Sequence, residues 1–126
     1  MGSILTVDDS RSMRQILGST VEALGFAVLE AEHGQAALEL LEDRADEVEM
    51  ILLDVNMPVM DGFATLQALK DDDRLKHIPV IMVTTEGERK RIIQAIRMGA
   101  ANYVVKPFTS EELSTRILDA LSQSDF

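Results

Sequence analysis

The sequence predicts an α/β fold, a doubly wound five-stranded parallel sheet with helices on both faces. Short β-branched apolar runs alternate with segments of helical spacing five times along the chain. Two of these runs, Met50-Ile51-Leu52-Leu53 and Val80-Ile81-Met82-Val83, are apolar at every position, as strands covered on both faces require. No linker, repeat or low-complexity tract breaks the 126 residues, a length that suits one core and a single domain over 1–126.

The first strand is predicted over Ile4–Val7, followed by a helix with Met13, Ile16, Leu17, Val21 and Leu24 on one face. Gly25 stands where a helix C-cap is expected. A second strand, Phe26–Ala31, leads to a helix marked by Ala36, Ala37, Leu40 and Leu41. The third strand is Met50–Leu53, and its helix carries Phe63, Leu66 and Leu69. The fourth, Val80–Val83, precedes a helix with Ile92, Ile93 and Ile96 that ends near Gly99. The fifth, Ala101–Val105, precedes a helix opened by a capping box, Thr109 with Glu112, and carrying Leu113, Ile117, Leu118 and Leu121. Crossovers in such sheets are right-handed. Of the usual strand orders, 2-1-3-4-5 is the one that suits five strands.

Composition narrows the function. With 46% hydrophobic and 27% charged residues, the chain has an ordinary globular composition. No apolar run approaches the roughly 20 residues that span a bilayer, and the start lacks a signal-peptide pattern. Cysteine is absent, so thiolate chemistry and disulfides are excluded. A cytoplasmic protein is expected. The net charge of −10 argues against nucleic acid as a direct partner, because duplex binding rests on neutralising phosphates. One cationic segment stands out, with Arg89, Lys90, Arg91 and Arg97. It reads as a solvated helix face or as a docking surface for an acidic partner.

In open α/β sheets, ligands bind beyond the carboxyl ends of the strands, where strand order reverses. Asp8 and Asp9 follow the first strand, Asp54 and Asn56 the third, Thr84 and Thr85 the fourth, and Lys106-Pro107 the fifth. Each alone has an ordinary explanation. Asp8-Asp9 can cap a helix, Thr84 and Thr85 can cap the next, and Asp61-Gly62 can be only a turn. Together they place three carboxylates, a hydroxyl and an ammonium at one edge. Such carboxylates repel one another unless cations join them. Lys106 supplies one positive charge, and Mg²⁺, which favours carboxylates with phosphate oxygens and waters, would supply two. A carboxylate can also accept a phosphoryl group.

These residues resemble the receiver domains of two-component response regulators, nearest to the single-domain chemotaxis members, with a flavodoxin-like (β/α)5 fold. The similarity covers essentially the whole chain. It rests on Asp8-Asp9, on Asp54-Val55-Asn56-Met57-Pro58-Val59-Met60-Asp61-Gly62, on Val83-Thr84-Thr85-Glu86, on Gly99-Ala100, and on Tyr103-Val104-Val105-Lys106-Pro107-Phe108-Thr109. The resemblance implies a signalling switch rather than an enzyme. Asp54 would be the phosphorylation site. Asp9, Asp54 and the Asn56 carbonyl would bind Mg²⁺ directly, and Asp8 through water. Lys106, before a cis Pro107, would pair with the phosphoryl oxygens. Thr84 would be the switch hydroxyl, and Tyr103 would follow it from an outward to an inward position. Asn56 and Glu86 would tune hydrolysis, giving a signal that lasts seconds to minutes.

The resemblance also implies partners. A histidine kinase or phosphotransfer protein would donate the phosphoryl group. An output protein, the flagellar motor switch among the candidates, would read a face containing Arg89, Lys90, Ile92 and Tyr103 on a monomeric receiver. Glu111, Glu112 and Thr85 depart from the pattern of that face and its surroundings. Two other readings stay open. The chain could be the receiver module of a larger transcription regulator. It could also be a haloacid-dehalogenase-type phosphatase, although that nucleophile follows the first strand in an Asp-x-Asp motif.

Overall fold

A computed structural model describes residues 2–124. Its strands are β1 (Ser3–Val7), β2 (Ala27–Ala31), β3 (Val48–Leu53), β4 (Val80–Thr84) and β5 (Asn102–Val105). Its helices are α1 (Arg11–Ala23), α2 (Gly34–Arg44), α3 (Gly62–Asp71), α4 (Arg89–Arg97) and α5 (Ser110–Ser124). One parallel sheet runs in the order β2-β1-β3-β4-β5, so the order reverses between β1 and β3.

Side chains of the central strands alternate between two apolar layers. Leu5, Val7, Ile51, Leu53, Val80 and Met82 face one layer, which α2, α3 and α4 complete with Ala37, Leu41, Phe63, Leu66, Leu69 and Ala95. Ile4, Met50, Leu52, Ile81 and Val83 face the other, which α1 and α5 complete with Leu17, Val21, Leu113, Ile117 and Ala120. This explains why these strands lack the polar alternation of a half-exposed sheet. Each fully buried Leu or Ile contributes roughly 1.5–3 kcal/mol of transfer free energy, and these layers hold the strand ends at fixed heights.

Helix boundaries follow local chemistry. Ser10, not Asp8 or Asp9, caps α1 by accepting from the Met13 N–H. Asp61 caps α3 by accepting from the Ala64 N–H at 2.8 Å. Thr109 accepts from the Glu112 N–H at 3.0 Å at the start of α5. α4 has Glu88 at its N-cap and no side-chain cap, so Thr84 and Thr85 are not used there. Gly25 and Gly99 follow α1 and α4 with φ of 96° and 106°, the left-handed geometry that favours glycine.

The strands differ from expectation at their starts. β3 begins at Val48, two positions before the predicted Met50. Val48 pairs with Ser3 and Met50 with Ile4, so Glu49 is an extra, exposed residue in an irregular step of the ladder. That charged residue hides the strand's start from a pattern search. Phe26 and Ala101 lie just outside β2 and β5, although both pack on an apolar layer. Among the described residues, no helix is long and apolar enough to cross a membrane.

Candidate functional site

Backbone hydrogen bonds carry the sheet ladder into the site. The Asp8 N–H donates to the Ala31 carbonyl at 3.2 Å, Asp54 to Val7 at 3.0 Å, and Lys106 to Thr84 at 2.8 Å. Three strand ends therefore deliver their next residues at the same edge of the sheet, those of β1 and β3 flanking the reversal of strand order. Asp8 and Asp54 are buried while Asp9 is exposed, and one carboxylate oxygen of each lies within 4.8 Å of the others. Lys106 Nζ donates to Asp8 Oδ2 at 2.8 Å and lies 3.6 Å from Asp54 Oδ2. Its peptide bond to Pro107 is cis.

Burial pushes the Asp54 carboxyl above its ordinary value. The Thr84 hydroxyl, by hydrogen bonding, and the Lys106 ammonium act against that rise, whereas the Asp8 carboxylate adds to it. A single lysine thus leaves a cluster of three carboxylates short of positive charge. This donor set, oxygen-only and partly open to solvent through Asp9, fits a hard divalent cation such as Mg²⁺.

Thr84, the last residue of β4, is fully buried, and its Oγ1 accepts from the Glu86 N–H at 3.4 Å. Tyr103 is also buried, and its hydroxyl donates to the Glu86 carbonyl. Burial, and then the nearby Glu86 carboxylate, raise the Tyr103 pKa above its ordinary value. The β4–α4 loop is therefore fastened at Glu86 from two sides. Asn56 lies exposed two residues beyond Asp54.

The four residues expected on a partner face differ in exposure. Arg89 and Lys90 are exposed, whereas Ile92 packs on an apolar layer and Tyr103 is buried. Of the other cations of this segment, Arg91 lies 5.5 Å over the Phe63 ring and 3.9 Å from the Glu86 carboxylate.

Two contributors were not evident from sequence. Gly62 reads as part of a turn, but a Cβ there would lie 2.1 Å from the Asp54 carbonyl oxygen, and the Gly62 N–H donates to the Val55 carbonyl. Only glycine lets α3 approach the Asp54 backbone this closely. The Asp-Gly pair was the available signal. Arg14 is the other. It is an arginine at the head of the buried face of α1, three, four and seven residues before Leu17, Gly18 and Val21, and that spacing was the available signal.

Residues 4–118 match the family described as Response regulator receiver domain. The chain belongs to this family. A chemotaxis protein CheY1 of Helicobacter pylori is 43% identical to this receiver domain over 97% of the chain and 98% of its own length. A Vibrio cholerae chemotaxis protein CheY4, solved at pH 4.0, superposes with a TM-score of 0.83 at 34% identity, covering 98% of each chain. A Borrelia burgdorferi CheX-CheY-BeF3-Mg complex gives a TM-score of 0.88 at 26% identity, covering 94% of this chain and 87% of the other. The receiver domain is a phosphoacceptor signalling module.

Proposed function

We propose that Asp54 is the phosphoacceptor of a chemotaxis switch, charged by a histidine kinase or phosphotransfer protein and read by an output protein. The observation that supports this most is the convergence of Asp8, Asp9, Asp54, Thr84 and Lys106 at the sheet's reversal point. The relatives named as chemotaxis proteins support the pathway.

Asp54, Asp9 and the Asn56 carbonyl would hold Mg²⁺, with Asp8 acting through water. The metal would supply charge neutralisation for the incoming phosphoryl group and the Asp54 oxygen. The remaining work belongs to the chain. β3 and the Gly62 contact fix Asp54 so that one oxygen attacks the phosphorus of the donor's phosphoryl group while the donor leaves. The Val55 N–H, 2.8 Å from Asp54 Oδ1, orients the carboxylate. Lys106 exchanges part of its contact with Asp8 for the phosphoryl oxygens, so charge is balanced without a new residue entering the site. Little covalent assistance is needed, because positioning and charge stabilisation dominate phosphoryl transfer.

The output follows from differential bonding. Thr84 would donate to the phosphoryl group, and Tyr103, whose hydroxyl holds the Glu86 carbonyl, would follow it inward. Phosphorylation therefore favours the arrangement in which both are drawn in, and shifts the population toward it. The neighbouring surface of α4, β5 and α5, including Arg89, Lys90 and Ile92, is then presented to the partner, with the flagellar motor switch as the output we favour. Asn56 and Glu86 stand beside the acceptor loop and β4–α4 loop, where they set access of water to the phosphoryl group. The protein acts once per phosphorylation, as a single-domain cytoplasmic switch rather than a turnover enzyme.

Transfer from a phosphorylated histidine kinase of a chemotaxis system tests this. Label should pass to the wild type within the mixing time of a manual assay, fail to pass to Asp54→Ala, and leave the protein in seconds to minutes once the kinase is removed. Label retained on Asp54→Ala, or stable for many hours with Mg²⁺ present, contradicts the proposal.

A further inference from the structure

Arg14 opens the buried stripe of α1, three, four and seven residues before Leu17, Gly18 and Val21. Its side chain is 10% exposed, although it lies on a helix whose neighbouring positions Arg11, Ser12, Gln15 and Ser19 are open to solvent. Its guanidinium makes two contacts with different strand ends. Nη1 donates to the Asp8 main-chain carbonyl at 2.7 Å, and Nε donates to Glu30 Oε1 on β2 at 2.9 Å. Both are short, charge-assisted bonds, which the planar fork of arginine suits better than a lysine ammonium.

The carbonyl it holds belongs to the peptide that joins Asp8 to Asp9. Asp8 itself is gripped from several directions. The Asp8 N–H is bound to Ala31, its Oδ1 accepts from the Ser10 N–H at 2.9 Å, and its Oδ2 accepts from Lys106. Arg14 supplies the remaining constraint, on the carbonyl, and so fixes the plane from which the exposed Asp9 carboxylate projects. Glu30 in turn anchors the guanidinium against β2, the edge strand of the sheet.

We infer that Arg14 is a positioning residue for the metal-binding aspartates, acting through the Asp8–Asp9 peptide and held in place by Glu30. This rests on the reading of Asp9 and Asp54 as Mg²⁺ ligands. Groups that orient ligands without touching the metal commonly govern affinity by 10–100-fold. The sign separates this role from plain electrostatics. Removing a cation from the neighbourhood of a cation site tightens metal binding on Coulomb grounds, whereas removing an orienting group weakens it.

The test is calorimetric titration of the full chain with MgCl₂ at constant ionic strength, comparing wild type, Arg14→Met, Arg14→Lys and Asp54→Asn. The inference predicts about tenfold weaker binding for Arg14→Met, the low end of such orienting effects. Arg14→Lys keeps the charge but cannot hold both partners at once, and should bind with intermediate affinity. Arg14→Met binding as tightly as wild type, or more tightly, overturns the inference. Should Arg14→Met fail to fold, Arg14→Lys at wild-type affinity overturns it instead. If wild type binds no Mg²⁺, or binds it equally well in Asp54→Asn, the metal reading itself fails and this inference falls with it.

Discussion

Asp54 is held in a state of electrostatic tension. Its carboxyl is raised above 3.8 chiefly by burial, so the folded protein binds a proton there more tightly than the unfolded chain does. A group of this kind contributes stability that is complete below its unfolded pKa and is lost as pH rises through the folded value. At pH 7 without Mg²⁺, the ionised carboxylate therefore weakens the fold. Asp54→Asn, which keeps an acceptor for the Val55 N–H, should melt at a higher temperature than wild type at pH 7 in EDTA. The gain should shrink toward pH 4, and MgCl₂ should raise the wild-type melting temperature more than the variant's. Thermal melts at the two pH values check both statements. A variant that melts lower at pH 7, with unchanged fold, contradicts this picture of the site.

At the level of elements, the loop between β3 and α3 contains a strained turn. Val59 has φ of 67°, a left-handed value that is unfavourable for a β-branched residue. The Met60 N–H donates to the Pro58 carbonyl at 2.7 Å, closing a three-residue γ-turn around it. The Val59 side chain is 77% exposed, so little packing offsets the strain. Replacing it with glycine removes a cost of roughly 1–2 kcal/mol in the folded state, against a loss of about 0.4–1 kcal/mol from the freer unfolded chain. Val59→Gly should therefore be more stable by up to about 1.6 kcal/mol in denaturant unfolding. A destabilised variant would mean that the loop derives support from Val59 that its exposure conceals.

Much of this organisation was readable in advance, and the exceptions are instructive. The apolar runs of β3 and β4 announced a doubly covered sheet because both faces are packed. Asp8, Asp54, Thr84 and Lys106 were readable as site residues because each directly follows or ends a strand, where topology alone brings them together. Val59 was not readable as strained, since positive φ at valine runs against its propensity. Gly62 looked like a turn because its reason, the close approach of α3 to the Asp54 carbonyl, is a tertiary contact. Arg14 was missed for the same reason, since both of its partners lie on other elements. The cap of α2 was also unforeseen. His33 accepts the Ala36 N–H through Nδ1 at 3.1 Å, a role more often filled by Ser, Thr, Asp or Asn.

The whole molecule carries −10, yet α4 contains Arg89, Lys90, Arg91 and Arg97 and no acidic residue. Such local reversal of sign would steer an acidic partner toward one face while the rest of the surface repels it. The site and this face share the β4–α4 loop, where Thr84 and Tyr103 both meet Glu86. Under the proposed function, this short, hydrogen-bonded segment would join chemistry at one end of the sheet to the cationic helix α4.

The central claim is that Asp54 accepts a phosphoryl group with the help of a divalent metal. Intact-mass measurement after incubation with acetyl phosphate and MgCl₂ tests it most directly. The account predicts one phosphoryl adduct on the wild-type chain, absent without the metal and absent in Asp54→Ala. An adduct that persists in Asp54→Ala, or that forms equally well in EDTA, would contradict it.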